Sequence, residues 1–294
     1  MPISKQLRAT AKELSFLTNT ALASAKIRSL TVEEKTKDYR MRPSFHVILM
    51  APIGQIKSTV MGEIAQKVGR EVITEITRAG LVGAIDQKTM QFIPGAAWEC
   101  RNSLLLLDEF TFGRKKEGWE VFLQLLEDQK WGKRIGLFSA DSCEQDDDLY
   151  AKIGKGRIDL KTRFACIVTT MRRMEYQRGQ AFRAFVTRGV PYYFDLDESI
   201  LREIAEGASL YTYGPPKPCA DVTIRRKTYS RLLSTAAEEL KKCDRPDIRK
   251  ELYMRSIGDL CRAYAVWGKN DSKTMRDIVR WKIKAQMAIG SSYR

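Results

Sequence analysis

The chain has 294 residues, 44% of them apolar, and carries 51 lysines and arginines against 36 aspartates and glutamates, a formal charge of +15. That length and apolar share can bury the core of one large domain or two smaller ones. No apolar run approaches a membrane span and the first residues lack a signal-peptide pattern, so a soluble cytoplasmic protein (host cytoplasm if viral or plasmid-borne) is expected, with no membrane partner. His46 is the only histidine, which excludes histidine metal sites and Ser-His triads, and the six cysteines form no C-x-x-C pair and read as reduced thiols.

The surplus of positive charge suits a polyanionic partner, nucleic acid before membrane. In chain order, residues 4–30 have helical composition, with Leu7, Leu14, Leu17 and Leu22 on loosely shared faces of one helix or a helix pair. Residues 31–43 are polar and end in Arg42-Pro43, an extended entry into a strand. Val47–Met50 is a short apolar run stopped by Ala51-Pro52-Ile53-Gly54, after which Gln55-Ile56-Lys57-Ser58-Thr59 opens a helical segment reaching Gly69. Strand, turn and helix come in the order a phosphate-binding loop requires, the alternative being a plain strand-to-helix turn with a surface lysine. Helix-start N–H groups around Gly54 and Gln55 point into the turn, Lys57 reaches outer phosphates, and the hydroxyls of Ser58 and Thr59 stand beside it, Ser58 as a Mg²⁺ ligand. Against G-x-x-x-x-G-K-[ST], Ala51 replaces the first glycine and Ile56 the second, where glycine permits close backbone approach.

Glu71–Thr77 alternates like a strand and Arg78-Ala79-Gly80 turns the chain. Leu104–Leu107 reads as a buried central strand with Asp108 and Glu109 at its end, where one carboxylate can hold Mg²⁺ and its neighbour can polarise a water. Trp119–Gln129 is an amphipathic helix with Phe122, Leu125 and Leu126 inward, and Asp141–Asp148 is an acidic loop. Tyr150–Lys161 reads as a glycine-turned hairpin bearing Lys152, Lys155, Arg157 and Lys161, and Phe164–Thr170 as another buried strand. A break at residues 213–218 precedes three helical segments, Val222–Cys243, Arg249–Trp267 and Ser272–Ile289.

With Lys57 and Asp108 at this separation, the chain resembles the AAA+ ATPases over most of its length. Residues 80–98, with Asp86-Gln87-Lys88-Thr89 as a hairpin tip, look like the helix-2-insert clade that includes the MCM replicative helicases. The resemblance implies an α/β three-layer P-loop sandwich with a parallel central sheet (44–213), a basic helical segment before it (1–43) and a helical lid after it (219–294). It implies ATP and Mg²⁺ as cofactors, with the 150–161 hairpin tracking a DNA backbone through Lys152, Lys155 and Arg157, and Lys88 on the second hairpin. It further implies Thr170 near the position of a water-orienting asparagine, with Met171 at that position itself, Arg188 as an arginine finger and Arg255 as a lid arginine, both acting on a neighbouring subunit. The expected assembly is then a homo-oligomeric ring, a hexamer, translocating or unwinding DNA. Two alternatives stand beside it: a degenerate nucleotide-binding module that assembles on DNA or regulates a protein partner, and a motor acting on polypeptide.

Overall fold

The computed structural model describes residues 4–35, 37–52, 56–86, 88–89, 91–109, 116–134, 142–171, 179–268 and 272–290. Its centre is a five-stranded, all-parallel sheet built from β3 (Val47–Ala51), β4 (Val72–Ile73), β7 (Leu104–Leu107), β12 (Ala165–Met171) and β13 (Val190–Tyr193), in the order β13-β3-β12-β7-β4. Strands buried on both faces need continuous apolar runs, and VILMA and LLLL provide them. Alternation divides them: Leu49, Leu106 and Ile167 join one core, while Ile48, Leu105, Leu107 and Val168 join another on the opposite face.

The first core is covered by α1 (Lys5–Ser24), α2 (Lys57–Val68) and the C-terminal helices α8 (Arg226–Lys241), α9 (Pro246–Trp267) and α10 (Ser272–Gly290). The second holds α3 (Arg78–Val82), α4 (Ala96–Glu99), α5 (Lys116–Asp128) and α6 (Gly179–Arg188). Helices therefore lie on both faces of the parallel sheet, which makes the chain an α/β protein.

Several segments differ from the sequence reading. The N-terminal helix is single and ends at Ser24, and residues 29–32 form strand β1, paired in parallel with β14 (Asp221–Ile224) and antiparallel with β2 (Tyr39–Met41). The start of the helical segment expected from Val222 is thus a strand. Residues 71–77 contribute only two paired residues, and residues 78–82 form the short helix α3 instead of a turn. Between α3 and α4, β5 (Gly83–Ile85) and β6 (Phe92–Pro94) make an antiparallel hairpin, so a hairpin does interrupt helical structure here. Gly83, at φ 109°, starts it, where a Cβ would come within 2.6 Å of the Ile93 carbonyl.

The acidic stretch expected as a loop contains strand β9 (Ser142–Asp146), part of a four-stranded antiparallel sheet ordered β8-β11-β10-β9 with β8 (Lys130–Arg134), β10 (Leu149–Gly154) and β11 (Arg157–Lys161). Its carboxylates go to different partners: Glu144 accepts from the Trp98 indole at 2.6 Å, Asp146 from Arg101 at 2.8 Å, and Asp148 from Lys161 at 2.8 Å, with Arg163 at 3.6 Å from its other oxygen. The proline-rich break is tied down, because Asn19 of α1 donates to the Thr212 carbonyl and accepts from Tyr211 and Gly214.

Candidate functional site

The strand-to-helix turn opens at the carboxyl end of β3. Residues 53–55 lie outside the described residues, and with them Gly54 and Gln55. Ile56 is the N-cap of α2 with φ −71° and ψ 31°, a negative φ between the helical and extended regions, so the backbone at this point does not take the positive φ that favours glycine. Among the described residues no side chain caps the helix, and its first intrahelical bond runs from Val60 N–H to the Ile56 carbonyl. The first-turn N–H groups of Lys57, Ser58 and Thr59 precede that bond, as helix geometry requires. Ser58 and Thr59 are exposed there.

Lys57 is 3% exposed and folds back, its Nζ donating to the carbonyls of Ala51 at 3.2 Å and Pro52 at 2.9 Å. Burial lowers its pKa, while the negative charges of Glu109 and Asp108 oppose that shift. An ammonium held by two neutral carbonyls and facing two carboxylates is a donor set that suits a phosphate chain with its counter-ion.

β12 lies between β3 and β7, and its register pairs Val168 with Leu107, so the next residues, Thr169 and Asp108, stand side by side. The Thr169 hydroxyl donates to Asp108 Oδ1, and the Glu109 N–H donates to Thr169 Oγ1 at 2.8 Å and to Asp108 Oδ1 at 3.1 Å. These bonds hold Glu109 at φ 46°, an uncommon backbone for a residue other than glycine, with its side chain exposed beyond buried Asp108. Thr170, the residue singled out on sequence grounds, alternates to the other face, where its buried hydroxyl has no hydrogen-bond partner among the described residues. Thr169 is the β12 hydroxyl that meets the acidic pair. No signal in the sequence would have found it, because the register that sets Val168 opposite Leu107 arises only when the two strands pair.

Arg188 and Arg255 lie elsewhere. Arg188 ends α6, and the next strand pairs Val190 with Val47, the first residue of β3. It therefore stands at the amino ends of the strands, roughly 15 Å along β3 from the strand's carboxyl end. There Arg188 donates twice to Glu127 Oε2, at 3.0 and 2.5 Å, and Arg255 donates to Glu127 Oε1 at 2.9 Å. Burial would raise the Glu127 pKa, but the two guanidinium groups outweigh it and hold the carboxyl below its usual range. Arg40, Arg42 and Arg262 join them around a cavity of about 480 Å³.

Behind this cavity, fully buried Lys282 of α10 donates to the carbonyls of Thr187 and Gly189, the residues flanking Arg188, and to Asp259, whose other oxygen accepts from Arg262. The helical segment thus grips the backbone that presents Arg188. Glu127, Asp259 and Lys282 were not visible as partners in sequence, where each reads as an ordinary helix residue.

In the basic hairpin, Lys155 and Gly156 form the two-residue turn between β10 and β11, at φ 51° and 67°, as a type I′ hairpin requires. Lys152 and Arg157 are exposed on those strands, and exposed Lys88 sits near the tip of the other hairpin, its N–H donating to Asp86. Among the described residues no group of three His, Cys, Asp or Glu side chains could hold a metal ion, and no helix is long and apolar enough to cross a membrane. No protein-family model matches this chain, and no curated protein matches its sequence.

Proposed function

We propose that the chain is an AAA+ ATPase of the helix-2-insert, MCM-like kind, assembling with copies of itself around DNA and coupling ATP hydrolysis to translocation or unwinding. One observation carries this reading. Lys57, Asp108 and Glu109 gather at the carboxyl end of the parallel sheet, while Arg188 and Arg255 converge at its amino end. A phosphate-binding half and an arginine-bearing half at opposite ends of one subunit meet only when a second copy stacks head to tail, and such contacts close into rings or extend into filaments; a hexameric ring is the form proposed. In this reading Lys57 and the first turn of α2 hold the phosphates of ATP, and Ser58 and Asp108 hold Mg²⁺, which would supply charge neutralisation at the transferring phosphoryl group. Thr169 fixes the Asp108 carboxylate and the backbone of Glu109, leaving the Glu109 carboxylate free to polarise a water.

The test is steady-state ATP hydrolysis at low salt, with and without single- and double-stranded DNA, against Glu109→Gln as the blank. DNA-stimulated turnover lost in the variant is the expected result. The second reading, a nucleotide-gated assembly that hydrolyses slowly or not at all, draws on the placement of the β12 hydroxyls: Thr170 faces away and Thr169 is committed to Asp108. Tight ATP binding without turnover above the blank would select it.

A further inference from the structure

The β8-β11-β10-β9 sheet has one covered face and one open one. Trp131, Leu149, Ala151, Ile153, Ile158 and Leu160 alternate onto the covered face and are buried. The opposite parity carries Lys130 and Arg134 of β8, Arg157 and Lys161 of β11, and Lys152 of β10. Register aligns them: Lys130 opposes Lys161, which opposes Tyr150, and Arg134 opposes Arg157. Like charges directly opposite each other destabilise a sheet. Two of the cations are answered by acids, Arg157 by Asp159 at 2.6 Å and Lys161 by Asp148 at 2.8 Å. Among the described residues no carboxylate pairs with Lys130, Arg134 or Lys152, and Lys152 lies 4.8 Å over the Tyr150 ring.

Gly132 leaves room on this face. A Cβ there would meet Asp159 Oδ1 at 2.6 Å and Arg157 Nη2 at 2.8 Å, so the glycine lets the Arg157 side chain lie across β8. Edge strands carry lysine to block pairing with other sheets, which accounts for charge on β8. It does not account for Lys152 on β10, which has a strand on each side. A cavity of about 610 Å³ runs over this face between Arg134, Lys152, Lys155 and Arg157, with Asp159, the partner of Arg157, as its one acid among the described residues.

We infer that this open sheet face, including Lys130 and Arg134 from outside the hairpin, is the surface that holds the phosphate backbone of a nucleic acid. Four strands spaced about 4.8 Å apart make a face about 14 Å across, which matches roughly four nucleotides of a stacked strand at about 3.4 Å each. The cations sit on paired strands, so little side-chain anchoring has to be created on binding, and they offer charge without base readout. The inference rests on the DNA reading above, and its test separates the two.

Binding of labelled single-stranded and duplex oligonucleotides to the full chain would be followed by fluorescence anisotropy from about 50 to 200 mM salt. In Lys130→Ala/Arg134→Ala, affinity for single strands should fall about tenfold at low salt, and the salt slope should become shallower by about 1.4, two phosphate contacts at about 0.7 each. Both side chains are exposed and each opposes a like charge, so the melting temperature should match or slightly exceed that of the parent, and Lys130→Arg/Arg134→Lys should restore binding. A double variant that binds like the parent, or a loss confined to Lys155→Ala at the hairpin tip, overturns the face while leaving the DNA reading intact. A parent chain that binds neither oligonucleotide overturns both, and tighter binding of polyglutamate than of DNA would make the occupant an acidic polypeptide and overturn the inference.

Discussion

His46, the chain's one histidine, should control stability between neutral and mildly acidic pH. Its ring is 3% exposed, packs near Phe164, accepts the Cys166 N–H at Nδ1 and presents Nε2 to the Leu126 carbonyl at 3.3 Å. That arrangement fits the neutral tautomer protonated at Nε2. Burial, and then the positive charge of Arg262, lower its pKa from 6.5 to about 4, against the weaker pull of Leu126 and Asp259, while Lys282 adds to the lowering. A folded-state pKa below the unfolded one means that the unfolded chain binds the proton first. The stability is therefore present above pH 6.5 and is lost as pH falls from 6.5 towards 4. The full shift corresponds to about 3 kcal/mol, of which about 2.5 kcal/mol should be gone at pH 4.5. Asp221 and Asp247, held near 2 by hydrogen bonds from Arg28 and Arg245, titrate below this window. Urea unfolding of the parent and of His46→Gln at pH 7 and pH 4.5 measures the difference. The parent should lose about 2.5 kcal/mol more than the variant, whose amide can still donate and accept but does not titrate. Parallel losses in the two proteins would refute the reasoning.

Three further outcomes rest on individual contacts. Thr169→Val removes the hydroxyl that binds Asp108 and should cost about 2 kcal/mol in chemical unfolding, whereas Thr170→Val replaces an unpartnered buried hydroxyl and should be neutral or slightly stabilising; equal costs would contradict the parity of β12. Lys282→Met leaves Asp259 half-paired and two carbonyls without their donor, and should cost about 3–5 kcal/mol by urea titration, with Asp259→Asn in the same chain recovering part of it. If Arg188 acts on a neighbour, Arg188→Ala should lose turnover while keeping nucleotide affinity, and mixing it with Glu109→Gln should restore some activity through hybrid sites. Absence of rescue at every mixing ratio would count against a shared site.

Burial on both faces imposes a compositional rule strong enough to read along the chain, so VILMA, LLLL and FACIVTT identify strands wherever they occur. The acids after Leu107 and the lysine after Val47–Met50 then fall at strand ends by chain order alone. Short elements obey no such rule. SLTV and DVTI are too brief to show a period, and they become strands because each supplies the other's backbone partners from far apart in the chain. KWGKR is mostly polar and is a strand because β11 pairs with it.

The same division runs through the candidate sites. Residue type and order along the chain located the strand-to-helix turn before Lys57, the acidic pair and the basic hairpin, because each is a local pattern with a local chemical reason. Tertiary structure alone decided that Thr169 and not Thr170 meets Asp108, since one residue of register reverses the face of a strand. It alone brought Arg188, Arg255 and Glu127 together from α6, α9 and α5, and placed Lys130 and Arg134 of β8 on the same sheet face as Lys152 of β10, with β11 between them. Ion pairs and sheet faces are made by elements that meet in space, and their partners leave no periodic trace in the order of the residues.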